Sequence, residues 1–123
     1  MVGEDEVGTG SIMAYDEGLA ARIADQLEGE PGLVEKKMFG GLAFLVEGHM
    51  CVGIVGDELM VRVGPEAYEE ALAEEGARPM DFTGKPMRGL VYVAAEAIAE
   101  EPQLAEWIGR GLRFVRGLPP KGA

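Results

Sequence analysis

Glu47, His49 and Cys51 stand at alternate positions in EGHMC, and carboxylate, imidazole and thiol are the groups that bind metals or move protons. In an extended strand that spacing puts all three on one side. A structural zinc site asks for four such ligands, typically paired cysteines and histidines, and no second CxxC or HxxxH completes one here. A His49–Cys51 dyad has no identifiable third group to orient the imidazole, and proximity alone does not activate a thiol. The plainer reading is a solvated His49 at the Gly48 turn and a buried Cys51 acting as a small hydrophobe among Met50, Val52 and Ile54. No catalytic, metal-binding or cofactor-binding residue is therefore assigned. A small ligand-binding protein or enzyme near Glu47, His49 and Cys51 is kept as a second alternative.

Gly40-Gly41, in KKMFGGLAF, raises the question of a phosphate-cradling loop. Such a loop needs several backbone N–H groups converging on an anion, usually with a helix N-terminus behind them. Apolar strand-like runs flank these glycines on both sides, and neither GxGxxG nor GxxxxGK[ST] occurs in the chain. A tight hairpin turn or a local bulge is the better reading, because positive φ at the central positions of such a turn excludes most side chains. Ser11 is the only serine, which leaves no serine nucleophile in the predicted domain. Arg110, Arg113, Arg116 and Lys121 form a candidate docking patch for an acidic protein or a nucleic-acid backbone. Cations near a helix C-terminus are also favoured for a structural reason, by ~0.3–1 kcal/mol each through the helix dipole. Lys36 and Lys37 fit an edge strand, where charge discourages edge-to-edge pairing.

The elements that position these groups follow from periodicity. Asp16 is a good N-cap for a helix from about Glu17 to Glu28, with Leu19, Ile23 and Leu27 on one stripe and Gly29 and Pro31 to stop it. Val34–Phe39, Leu42–Val46, Met50–Val55 and Glu58–Val63 read as strands joined by Gly40-Gly41, Glu47-Gly48-His49 and Gly56-Asp57, connections so short that neighbours must be antiparallel. Several of these strands are apolar on both sides, which predicts helices over one face and a partner over the other. Pro65 opens a second helix carrying Tyr68, Ala71 and Leu72, with Gly76 expected as its C-cap. A short edge strand is expected around Met80–Phe82, and GLVYVA at 89–94 is the last strand. A final helix from about Pro102 to Gly117 puts Leu104, Trp107, Ile108, Gly111, Leu112, Phe114 and Val115 on one arc. Gly111 lies mid-arc, which predicts close approach to the sheet. The fold class is α+β: a two-layer, mostly antiparallel sheet of four or five strands with helices packed on it, in the order helix–strands–helix–strand(s)–helix.

With 123 residues the chain is expected to form one domain over 13–121, preceded by an acidic, glycine-rich leader or tag at 1–12 that is predicted to be disordered. Met13 reads like a natural start. The formal charge of −11 argues against general affinity for nucleic acid, although the last segment, 102–123, sets Glu106 alone against three arginines and Lys121. A lone Cys51, no signal-peptide pattern and no long apolar run lead to a cytoplasmic expectation.

MAYDEGLAARI, KKMFGGLAFLVEGHMCVGI, DELMVRVG and LAEWIGRGL with its trailing FVRGLPPK, in this order, resemble the N-terminal domain of the TfoX/Sxy family over about residues 13 to 121. Met38, Phe39, Gly40, Gly41 and Trp107 carry the resemblance as a structural signature. The family's founding members are bacterial regulators of natural competence that carry a second, helical C-terminal domain, which this sequence lacks. The resemblance implies a fold similar to that of secretion chaperones and transfers no catalytic residue. Some short members carry a methyltransferase label, but no glycine-rich cofactor loop supports it here. The expected function is a non-enzymatic cytoplasmic regulatory module working through protein contacts, with an unidentified protein partner and self-association as a homodimer. No cofactor and no membrane association are expected. A nucleic-acid-associated transcriptional regulator using the basic helix face is the first alternative.

Overall fold

Asp16 starts the first helix as predicted: its Oδ1 accepts from the Leu19 N–H at 3.0 Å and satisfies one of the free donors of the first turn. The computed structural model describes residues 15–38, 40–81 and 87–119, so the leader, Phe39, the Phe82 end of the expected edge strand and Lys121 lie outside the described residues. In chain order the elements are α1 (Glu17–Leu27), β1 (Val34–Met38), β2 (Gly41–Val46), β3 (His49–Val55), β4 (Glu58–Arg62), α2 (Tyr68–Leu72), β5 (Ala77–Pro79), β6 (Leu90–Val93), a 3-10 turn (Ala95–Ile98) and α3 (Glu101–Arg116).

The strands form one six-stranded sheet in the order β1-β2-β3-β4-β6-β5, with every neighbouring pair antiparallel. Six strands replace the four or five expected, while the α+β class and element order hold. β1 and β5 are the two edges.

All three helices contribute to one core with Leu42, Phe44, Val52, Ile54, Leu59, Val61, Val91 and Val93 from one sheet face. Leu19, Ile23 and Leu27 are buried, as the stripe predicts. Helix α3 lies across β3 and β4 and buries Leu104, Trp107, Ile108, Gly111, Leu112 and Val115, with Phe114 half-buried. A Cβ at Gly111 would lie 2.9 Å from the Cys51 carbonyl oxygen, so helix and strand approach as closely as the missing side chain allows.

Some details depart from the sequence expectation. Gly40 alone of the glycine pair has positive φ, +74°; Gly41 instead begins β2, where an added Cβ would stand 1.9 Å from the Ile54 carbonyl oxygen. The next hairpin turns on Glu47 and Gly48 at φ 54° and 83°, so the connection is two residues long and His49 already belongs to β3. Helix α2 ends at Leu72 with Ala73 as its C-cap, and Gly76 leads into β5, which lies at Ala77–Pro79 rather than at Met80–Phe82. Met80 is fully buried just past the strand.

Candidate interaction surface

The three residues of EGHMC do not share a site. Glu47 occupies the turn, and a register shift between Phe44 and Leu45 pairs Phe44 with Val52 and Leu45 with Met50, leaving Cys51 as the extra residue of a bulge. Cys51 is fully buried, 3.0 Å from where a Gly111 Cβ would sit. Burial, with the Glu30 carboxylate adding to it, pushes its thiol up to about 12, so the reactive thiolate is suppressed at neutral pH. The His49 Nε2 pairs at 2.6 Å with the Pro119 carbonyl, where the imidazole N–H donates, fastening the segment after α3 to the start of β3. No group of three or more metal-ligating side chains comes together among the described residues. Cavities of about 680 and 580 Å³ lie elsewhere, against Trp107 and Phe114 respectively.

The basic helix face is partly engaged within the fold. Arg110 lies 4.7 Å over the Trp107 ring, pairs with Glu74 at 3.0 Å and reaches Glu106 at 3.6 Å. Its Nε is buried with no hydrogen-bond partner among the described residues. Arg116 joins Glu30 at 2.6 Å, tying the end of α3 to the loop after α1. Arg113 is exposed and makes no ion pair with another described residue. Neither pairing could be seen in the sequence, because the acids lie 36 and 86 residues away. Another such cluster joins Arg22 to Glu101 and to the Ile98 carbonyl, with Gln26 also donating to Glu101.

What remains is the sheet itself. The described helices cover one face, while Val34, Leu45, Met50 and Val55 lie on the second, following the register Val34↔Leu45↔Met50. Val34 is 53% exposed and the other three are half-buried, whereas Ala43 and Met60 on the same face are fully buried. The Met60 methyl lies across Gly53, where a Cβ would come within 2.5 Å of it. Strand β1 extends this face to an edge on which Val34, Glu35, Lys36 and Lys37 are all exposed.

The class is thus an antiparallel sheet carrying one layer of helices, with an apolar strip on its second face. A family model, TfoX N-terminal domain, matches residues 25–115, and the chain belongs to that family. No curated protein and no solved structure matches it. The match takes in the KKMFGG segment and Trp107, which is 5% exposed and packed in the core under Arg110. Among the described residues, no helix is long and apolar enough to cross a membrane.

Proposed function

We propose that this TfoX-like module is a non-enzymatic regulatory module of the cytoplasm that works by protein contacts made with its sheet. The observation that carries this reading is the apolar row Val34, Leu45 and Met50, with Val55 farther along β3, on the face opposite the helices. Covering apolar area contributes roughly 25 cal/mol per Å², so even this narrow strip favours a docked protein surface over water. The basic helix face offers less, because Arg110 and Arg116 already meet carboxylates of the same chain.

Proximity labelling in the native cell tests the reading with two variants. Leu45→Glu places a charge in the strip, and Arg113→Ala removes the exposed helix cation. The reading expects the labelled protein set to collapse for Leu45→Glu, with the variant still folded by circular dichroism, and to persist for Arg113→Ala. The opposite pattern, with nucleic acid recovered by the wild type, would transfer the function to the helix face.

A further inference from the structure

The two edges of the sheet differ in what they offer another strand. At β5 the inward bonds are Ala94 N–H to Gly76 O at 2.9 Å and Met80 N–H to Leu90 O at 3.3 Å, so alternation turns Ala77 and Pro79 outward. The Ala77 N–H already donates to Glu74 O at 3.2 Å, and Pro79 has no N–H. That edge presents no free outward donor.

Val46 and His49 flank the Glu47-Gly48 turn and exchange both backbone bonds, so alternation along β2 turns the groups of Leu45, Ala43 and Gly41 toward β1, where they meet Val34, Lys36 and Met38. Alternation then leaves the N–H and C=O groups of Glu35 and Lys37 pointing away from β2. A second β1 strand, antiparallel across a two-fold axis, can set these groups opposite one another in three central registers. Glu35 opposite Glu35, or Lys37 opposite Lys37, places like charges in direct apposition. The register centred on Lys36 sets Glu35 opposite Lys37 of the other copy twice over. It also sets Val34 opposite Met38, joining the apolar strips of the two sheets.

We propose that β1 is a self-pairing edge, and that two copies of this chain join their sheets through the VEKKM segment in the register centred on Lys36. The inference rests on the protein-contact reading above and names its partner as a second copy. The closest like-charge contact is Lys36 with its symmetry mate, so the dimer is held by four backbone bonds and two charge pairs against one repulsion. It is weak and reversible, as suits an edge that must also remain soluble.

The test is sedimentation velocity over a concentration series, on purified full chain. Glu35→Lys and Lys37→Glu each convert both charge pairs to like-charge pairs and should weaken dimerisation by about tenfold or more. Mixing the two variants restores opposite charges at both pairs, and the mixture should dimerise with affinity within about threefold of wild type. Lys37→Pro removes an outward donor without touching the β1–β2 ladder and should leave a folded monomer. Lys36→Thr should tighten the dimer. A wild type that stays monomeric throughout, or a dimer indifferent to these four changes, overturns the proposal. Monomer in every sample together with labelling that still depends on Leu45 would retire the self-pairing edge alone. Labelling indifferent to Leu45 would instead count against the module reading.

Discussion

Strands β1 and β5 close the same sheet at opposite ends and handle their edges in opposite ways. The β5 edge is three residues long, its outward donors are consumed or missing, and Arg78 folds back over the Tyr92 ring at 4.6 Å to reach Glu58 at 2.7 Å. The β1 edge is five residues long with no proline, and its side chains reach into solvent without an ion pair to another described residue. An exposed edge invites pairing, and short length, proline and covering side chains are the usual ways to prevent it. One end of this sheet uses all three, and the other relies on two lysines with a glutamate beside them. The difference teaches where a strand from another molecule can be received.

The comparison breaks most severely at Gly41. A side chain there would meet the Ile54 carbonyl, and that clash is with backbone, so Gly41→Ala should displace the β1–β2 hairpin. A stability loss of about 3 kcal/mol or more is expected in denaturant unfolding, together with loss of dimer. At the other edge Arg78→Ala removes a stacking contact and an ion pair whose partners are partly exposed. It should cost only about 0.5–1 kcal/mol, read from the same titration, and leave self-association unchanged. Pro79→Val restores an outward N–H to β5 and should change stability little while adding concentration-dependent species beyond the dimer.

The smallest effect concerns acid. Hydrogen bonds from Arg22, then Gln26, hold the Glu101 carboxyl below its ordinary value of 4.5. A carboxyl lowered on folding stabilises above the unfolded value and loses that contribution as pH falls through the folded one. Melts below pH 4.5 should therefore decline less steeply in Arg22→Met than in wild type, with dimerisation at neutral pH the same in both. The Cys51 thiol works in the other direction: its contribution is complete below the unfolded value of 9.0 and fades as pH rises toward about 12.

Local patterns carried much of the fold. The Asp16 cap, the Leu19–Ile23–Leu27 stripe, the α3 arc and the place of Gly111 are each written within a turn or two of sequence, and each is present. The features that escaped depend on distant partners. Cys51 becomes a bulge residue only because β2 and β3 shift register, and β5 is placed by its ladder with β6. Glu47 takes a left-handed turn position that its residue type does not announce. The charges of Arg110 and Arg116 read as a patch until Glu74 and Glu30 arrive from other elements. Lys36 and Lys37 were legible as edge residues, but the self-complementarity of VEKKM acquires meaning only once β1 is known to end the sheet.

Amide hydrogen exchange measured at rising protein concentration tests the contrast between the edges most directly. The amides of Glu35 and Lys37 should become protected as concentration rises, while that of Ala77 keeps one rate throughout. Concentration-independent exchange at Glu35 and Lys37, or protection that grows at Ala77 instead, would contradict the account.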